Sequence, residues 1–308
     1  MSPLGLIAGE GILPLLVARG ARAEGRQVVC AAFRGHAWPE LREECDEFHW
    51  VGTLRLGGWI RVLRAGGCDE AIMVGRVAKH QMYDRWRYFR YIPDWRTARL
   101  WFTVLRHDKR PYSILKAVMS ELSSAGVNLI DQTRYCREHL ATAGVMTRRQ
   151  PTEAQWIDIH FGWQAGQQLS RLDIGQAIAV KDRDVIAVEA LEGTDAMVKR
   201  AGELCPVGGW TLIKVSNTQY DMRVDVPTIG ATTIEKLHEA RAGCVVLEAG
   251  KTLIAEKQKV IELADRYKIA LVGYDASVCP PAAPWDADTP GPGGRDAGCG
   301  RSHHRDDR

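Results

Sequence analysis

The sequence predicts an α/β fold of two domains, an N-terminal Rossmann-like βαβ domain and a C-terminal mixed α/β domain, with the binding cleft between them. With 308 residues, the chain exceeds the size at which a single hydrophobic core keeps growing. Residues 1–75 alternate short apolar segments with segments of helical periodicity, which is the pattern of a parallel sheet with helical crossovers. A polar, irregular stretch at 131–152 then separates this part from a second alternating part.

The first domain, 1–130, opens with a strand, a glycine turn and a helix. Leu4–Ala8 is a short apolar strand, and the helix runs from Leu13 to about Glu24. The acidic segment 41–47 is interpreted as a solvent-exposed helical face. The further predicted elements alternate strand and helix, at 28–33, 59–66, 71–75, 113–125 and 127–130.

The second domain, 153–276, follows the linker at 131–152. Its first helix begins with a capping box, in which Thr152 pairs with Gln155, and extends to about Ser170. A hairpin follows, and then two helices and two strands are predicted. These elements lie at 177–190, 234–241, 256–267, 245–247 and 269–273.

The composition of the whole chain excludes several classes of protein. The formal net charge of +3 is close to neutral for this length, so the charge does not demand a nucleic-acid partner. The eight cysteines include no Cys-x-x-Cys pair that would indicate a zinc site. There is no basic leader, and no apolar stretch approaches the roughly 18 residues of a membrane span. We therefore expect a cytoplasmic protein, and we expect its tail at 277–308, rich in Pro, Gly and Asp, to be disordered.

Arginines and aromatic residues alternate from His80 to Arg110. After Pro93, several apolar residues fall at helical spacing with Arg99 and Arg106 off that face, which predicts an amphipathic helix. The apolar residues of this face are Trp95, Ala98, Phe102 and Leu105. Three interpretations are open: the aromatic side chains pack in the core, they face a membrane or acyl chains, or they stack on nucleic-acid bases.

The turn Gly9-x-Gly11 resembles the dinucleotide fingerprint, in which glycines let the backbone approach a pyrophosphate. The third glycine of that fingerprint is missing, and Phe33-Arg34 stands where an acidic residue would bind a ribose. The turn is therefore interpreted as a tight turn that touches phosphate or sugar. An NAD(P)-dependent oxidoreductase is kept as an alternative.

The densest polar motifs lie at 171–197 and 223–230. They combine turn glycines, carboxylates and small polar side chains where strands are expected to open into helices. An N-cap role would explain Thr194 or Asp195, and an internal ion pair would explain Asp173. These structural roles leave the surrounding polar residues unexplained.

The same motifs suit hydrolysis of a phosphoric anhydride. Carboxylates hold Mg²⁺, the ion neutralises phosphate oxygens, and one acid orients the attacking water. Lys214, on a neighbouring strand, adds a cation for phosphate. The candidate carboxylates are Asp173, Glu192, Asp195 and Asp225.

Four motifs, in order between Pro3 and Asp275, resemble the LpxI-type UDP-2,3-diacylglucosamine pyrophosphatases. They are Leu6-Ile7-Ala8-Gly9-x-Gly11-x-Leu13-Pro14, Arg171-Leu172-Asp173-Ile174-Gly175-Gln176, Ala187-Val188-Glu189-Ala190-x-Glu192-Gly193-Thr194-Asp195-Ala196-Met197 and Val224-Asp225-x-Pro227-Thr228-Ile229-Gly230. The resemblance implies a Mg²⁺-dependent enzyme of lipid A synthesis that cleaves UDP-2,3-diacylglucosamine into 2,3-diacylglucosamine 1-phosphate (lipid X) and UMP. It also implies two domains that hold the lipid product between them.

The resemblance assigns roles to particular residues. Asp225 matches the family's critical aspartate, as general base or metal ligand, and Glu192 and Asp195 would support the ion or the water. Asp225 and Asp195 are the metal candidates. Gln176, Thr194, Lys214 and Thr228 are candidates for phosphate and uridine contacts, and the other substrate-binding candidates are Gly9, Gly11, Gly75 and Asp173.

One departure from the family concerns the helix that begins Pro111-Tyr112-Ser113. Many relatives have Gly-Asp-Asp ahead of it, and Asp108 is the acid that would compensate here. The dimetal hydrolases of the same reaction are excluded, because the chain has no Gly-Asn-His-Asp run.

The resemblance also implies partners. We expect the Arg- and Trp-rich segment to dock on the cytoplasmic surface of the inner membrane, with no nucleic-acid partner. A homodimer is left open. A non-catalytic module that binds a sugar nucleotide or RNA is the remaining alternative.

Overall fold

The computed structural model describes residues 2–77, 92–107, 111–216, 223, 226–275 and 277. Asp225, Asp108, the parts of the Arg- and Trp-rich segment at 80–91 and 108–110, and nearly all of the predicted tail lie outside these residues. Within them the chain forms a five-stranded parallel sheet, a six-stranded mixed sheet and a two-stranded sheet, with helices against the two larger ones. The predicted α/β fold of two domains is confirmed.

The first sheet is parallel throughout. Its strands are β1 (Leu4–Ala8), β2 (Val28–Phe33), β3 (Glu47–Val51), β4 (Glu70–Val74) and β5 (Asn128–Leu129). The helices beside it are α1 (Leu13–Ala23), α2 (Leu56–Ala65), α3 (Trp95–Leu100) and α4 (Pro111–Ser124). The strand order β3-β2-β1-β4-β5 changes direction between β1 and β4, where sheets of this type open a ligand crevice. Every residue of β1 and β2 is buried, because apolar clusters cover both faces of the sheet.

The interpretation of residues 41–47 as a solvent-exposed helical face holds for 41–44 and is wrong for 45–47. A short 3₁₀ helix at Pro39–Glu44 leads into β3, which pairs with β2 at the edge of the sheet. Most side chains of β3 are exposed, so this strand carries no apolar run by which the sequence would reveal it. The Asp46 carboxylate accepts a hydrogen bond from the Val28 amide at 2.8 Å and fixes the start of the pairing.

The helix predicted after Pro93 exists, but its apolar face is not buried as core. Trp95 is 81% and Phe102 is 65% exposed, whereas Leu100 is buried. At Trp101–Leu105 the chain continues as a π-helix, whose wider turn breaks the 3.6-residue period that the prediction assumed. For these exposed residues, the core-packing interpretation is wrong.

The second domain is built on the mixed sheet. Its strands are β6 (Gly144–Val145), β7 (Ala177–Lys181), β8 (Asp184–Val188), β9 (Thr211–Lys214), β11 (Cys244–Glu248) and β13 (Ala270–Tyr274), and β10 (Thr228–Ile229) pairs with β12 (Leu253–Ile254) beside it. The order is β6-β13-β11-β9-β7-β8, in which β9, β11 and β13 are parallel. The helices are α5 (Glu153–Arg171), α6 (Thr194–Leu204), α7 (Ala231–Glu239) and α8 (Lys257–Arg266).

Local chemistry fixes the start of α5 and the β7–β8 hairpin as predicted. Thr152 and Gln155 form the complete capping box. Asp182 and Arg183 both adopt positive φ, as a two-residue hairpin turn requires. The buried Asp158 carboxylate of α5 accepts the Arg183 amide at 2.7 Å, and burial raises the pKa of this carboxyl above its ordinary value. The hairpin turn is thereby attached to α5.

The segment between the domains is anchored on both sides. Cys136 is buried in the cluster of β1, β2 and α1, and Ala141 is buried in the cluster of the second sheet. Val226 and Leu253, from the second half of the chain, also belong to the first cluster. The two domains therefore share buried apolar contacts around this segment.

The turns after β1 and β4 pack backbone against backbone. A Cβ atom on Gly9 would lie 2.7 Å from the Arg76 carbonyl oxygen, and Gly75 has φ +100. We predict that Gly9→Ala lowers the free energy of unfolding by about 1–3 kcal/mol, because the neighbouring turn must move. Urea denaturation measures this effect.

Gly58→Ala in α2 is the matched control, because a Cβ there meets only ordinary contacts and alanine favours a helix. It should raise the free energy of unfolding by about 0.5–1 kcal/mol. Equal changes in the free energy of unfolding for the two substitutions would contradict the close approach of the turns after β1 and β4.

Candidate functional site

Polar side chains gather at the carboxyl end of β9 and β11. The register pairs Lys214, the last residue of β9, with Ala177, the first residue of the antiparallel β7. Gln176 therefore lies at the same edge, and its backbone carbonyl accepts the Val215 amide at 2.9 Å. Since β8 runs antiparallel to β7, Glu189 also follows its strand at this edge.

Lys214 is buried, with 7% of its surface exposed, and a chain of hydrogen bonds joins its ammonium group to a carboxylate. Its Nζ donates to Thr194 Oγ1 at 2.9 Å, and Thr194 Oγ1 donates to Glu189 Oε1 at 2.8 Å. A buried ammonium group is costly unless it is paired in this way. The arrangement places a positive charge where the strands of the parallel part of the sheet end.

The turn before α6 presents Thr194 to Lys214. Gly193, at φ 84, occupies the N-cap position, so neither Thr194 nor Asp195 is the cap. The predicted N-cap role is wrong, and the Thr194 hydroxyl takes part in the Lys214 contact instead. Gly175 is needed nearby, because a Cβ on it would lie 1.9 Å from the Glu189 carbonyl oxygen.

Glu248, at the end of β11, is a further buried carboxylate of this edge. It accepts the Ser216 amide at 2.9 Å and Lys251 Nζ at 2.6 Å. Sequence reasoning assigned no role to Glu248 or Glu189. Both could have been found in the sequence, because each is an acid at or just after the last residue of an apolar strand. In such a sheet the strands end together at one edge.

Two of the predicted catalytic carboxylates form ion pairs on the surface of α6. Glu192 pairs with Arg200 at 2.8 Å, and Asp195 pairs with Lys236 of α7. Asp173, at φ 57, lies in the turn after α5. Asp225 lies outside the described residues, so its place relative to these groups stays a prediction.

The remaining predicted site residues lie elsewhere in the fold. Thr228 is in β10, where its hydroxyl donates to the Val226 carbonyl at 3.2 Å. Gly9, Gly11 and Gly75 form the turns of the first sheet, where Glu10 and Arg76 exchange backbone hydrogen bonds. The structure thus brings Gln176, Thr194 and Lys214 to one edge.

The predicted Mg²⁺ ligands are only partly described. Among the residues that the structure covers, no three His, Cys, Asp or Glu side chains are grouped to hold a metal ion. Glu189 Oε2 is buried and has no hydrogen-bond partner among the described residues, so this oxygen is available to a ligand.

The second domain has a mixed sheet with a buried lysine at the carboxyl end of its strands, and the first domain has a parallel sheet with a glycine turn. These features define an α/β protein of the class that binds ligands at strand ends. The family model described as LpxI N-terminal domain matches residues 3–139, and that described as LpxI C-terminal domain matches residues 142–272. The chain belongs to the LpxI family.

A curated relative from Caulobacter vibrioides, named UDP-2,3-diacylglucosamine pyrophosphatase LpxI, is similar to this chain. The two are 31% identical over 285 residues, which cover 89% of this chain and 98% of the relative. The comparisons give no support to a nicotinamide-dependent oxidoreductase. None of the helices in the described part of the chain is long and apolar enough to cross a membrane.

The contribution of Glu248 to the stability of this edge can be tested by substitution. We predict that Glu248→Ala lowers the free energy of unfolding by about 2 kcal/mol, because it leaves the buried Ser216 amide without an acceptor. Glu262→Ala, which removes an exposed carboxylate on α8, should change it by less than about 0.5 kcal/mol. Urea denaturation of both variants decides the point, and similar losses would argue against an anchoring role of Glu248.

Proposed function

We propose that this protein hydrolyses the pyrophosphate of UDP-2,3-diacylglucosamine to 2,3-diacylglucosamine 1-phosphate (lipid X) and UMP, a step of lipid A synthesis. The observation that carries the proposal is the match of both domains, over nearly the whole chain, to one family with a relative named for this pyrophosphatase. The buried Lys214 at the strand ends supports it, because pyrophosphate cleavage needs positive charge near the phosphate oxygens.

The chemistry can be written for the residues of this chain. Asp225 accepts a proton from water, and the water oxygen forms a bond to the phosphorus on the sugar side. The bond from that phosphorus to the bridging oxygen breaks, and UMP leaves with this oxygen. Lys214 neutralises phosphate oxygens as negative charge shifts to the leaving group, and Thr194 fixes the lysine in place. Gln176, near Lys214, and Thr228, in β10, are the proposed uridine and phosphate contacts.

Mg²⁺ is proposed as the cofactor, with Asp225 and Asp195 as ligands. When bound, the ion would neutralise phosphate charge. Asp195 already pairs with Lys236, and Glu192 with Arg200, so either carboxylate must leave its partner to serve the ion or the water. Asp225 is therefore the ligand on which this proposal depends most.

The first test is the reaction itself. Wild-type protein incubated with UDP-2,3-diacylglucosamine should release UMP, and EDTA should abolish the release. We predict that Asp225→Asn lowers kcat by at least about 100-fold, because the amide does not accept the proton of the attacking water. UMP is quantified by chromatography at saturating substrate.

Asp69→Asn is the control, because Asp69 is an exposed carboxylate at the far end of the first sheet. Its kcat should match that of the wild type. No UMP from the wild type would refute the proposed function, and release that survives both EDTA and Asp225→Asn would refute the mechanism.

We further propose that the protein works on the cytoplasmic surface of the inner membrane and docks there through α3. Its substrate carries two acyl chains, and Trp95 and Phe102 expose apolar surface at this helix. Arg96 and Arg99 lie beside them, at 3.4 and 2.7 Å from Glu121 of α4. This ion-pair network fixes α3 on the domain and leaves a net positive charge for anionic lipid.

Removal of the exposed aromatic rings tests this docking. The double variant Trp95→Ala/Phe102→Ala should lose at least about tenfold of its affinity for vesicles of phosphatidylglycerol and phosphatidylcholine, because it buries less apolar area. Arg99 is kept, since its replacement would also disturb Glu121.

Trp38→Ala, which removes a partly exposed ring elsewhere on the first domain, is the control. Co-sedimentation measures binding, and circular dichroism checks the fold. Equal binding of all three proteins would remove α3 as the docking element.

A further inference from the structure

Glu189 has no role in the reaction as written above, yet it ends the hydrogen-bond chain that begins at Lys214. The Thr194 hydroxyl has a single hydrogen, which it donates to Glu189 Oε1 at 2.8 Å. Its oxygen is then oriented to accept from Lys214 Nζ at 2.9 Å. The direction of both hydrogen bonds therefore depends on an acceptor at Glu189.

The second oxygen of Glu189 argues against a purely structural carboxylate. Glu189 Oε2 is buried and has no hydrogen-bond partner among the described residues. An unsatisfied buried oxygen costs stability, so this oxygen calls for a partner beyond the described residues, such as a ligand, an ion or a water molecule. By contrast, both oxygens of Glu248 at the same edge have partners within the fold.

The surrounding turns are shaped to keep Glu189 where it is. Gly175 passes so close to the Glu189 carbonyl that only hydrogen fits in place of a side chain. The Glu189 amide donates to the Ala177 carbonyl at 2.8 Å, which extends the β7–β8 pairing to this residue. Its backbone is thus held on two sides, and its carboxylate meets Thr194 at the start of α6.

We propose that Glu189 is a positioning residue, which through the Thr194 hydroxyl holds Lys214 Nζ in place to meet a phosphate oxygen of a nucleoside diphosphate. The inference rests on the proposed function, because it gives Lys214 a phosphate to bind. Lysine has a flexible side chain, and a charge fixed before the substrate arrives stabilises the transition state without reorganisation.

A double-mutant cycle tests whether Glu189 acts through Thr194. Glu189→Ala and Thr194→Val should each lower kcat for UMP release on the order of 10- to 100-fold, as is typical for residues that orient a directly acting group. The double variant should be no slower than the slower single variant, because both changes break the same chain. Losses that multiply would overturn the proposal.

A conservative variant separates this role from general damage to the fold. Thr194→Ser keeps the hydroxyl and should recover most of the loss caused by Thr194→Val. A serine variant as slow as the valine variant would overturn the proposal. Glu203→Ala, which removes an exposed acid of α6, should leave kcat unchanged. If Glu189→Ala does not fold, Glu189→Leu replaces it, because its side chain has a similar size but no acceptor for the Thr194 hydroxyl.

Binding of inorganic pyrophosphate gives a readout independent of turnover. Calorimetry should show weaker binding for Glu189→Ala and Thr194→Val, the same coupling between them, and recovery by Thr194→Ser. If the wild type releases no UMP while pyrophosphate binding follows this pattern, the proposed function fails and the positioning role stands. If UMP is released and Glu189→Ala matches the wild type in both assays, the positioning role fails alone.

Discussion

The burial of the Lys214 charge is the constraint on which the polar edge of the second domain depends. An ammonium group with so little exposure must be met by acceptors from the protein. One acceptor is Thr194, which belongs to another element and in turn donates to Glu189. The end of β9, the loop after β8 and the start of α6 are thereby fixed to one another. Gly175 lets its turn pass close to Glu189, and Gly193 supplies the positive φ at the N-cap of α6.

The acidic residues of the motif at 187–197 divide into two groups by their partners. Glu192 pairs with Arg200 of α6, and Asp195 joins α6 to α7 through Lys236. These ion pairs are partly exposed, and such pairs contribute little to stability. Glu189, in contrast, has one oxygen in the Lys214 chain and one buried oxygen without a partner. Acid content alone therefore did not identify which carboxylate of the motif contacts Thr194.

Elements with a strong local pattern were predictable from the sequence. The apolar strands β1 and β2 and the capping box at Thr152 depend on neighbouring residues along the chain, and the structure confirms them. The edge strand β3 was missed because it is held by pairing with β2, while most of its side chains are exposed and its sequence has no regular alternation. The exposed face of α3 was misjudged because helical spacing marks an apolar face but does not say whether the core covers it, and here Leu100 is buried while Trp95 is exposed.

The candidate site was predictable only in part, for a similar reason. Lys214 and Thr194 were identified by residue type and by resemblance, but their contact joins residues twenty positions apart. Glu189 and Glu248 acquire their surroundings from strands that meet only in the folded protein. The polar motif at 223–230 made Asp225 one of four candidate carboxylates, and only the resemblance assigned it the role of general base or metal ligand.

The anchored segment between the domains has a consequence for how the two halves meet a common ligand. Cys136 is buried in one core and Ala141 in the other, five residues later. A chain of this length spans at most about 18 Å, so neither half can move far from the other. A ligand held by one domain therefore meets the second as an intramolecular partner, at an effective concentration on the order of millimolar. Each domain can then contribute a weak contact and still take part in tight binding.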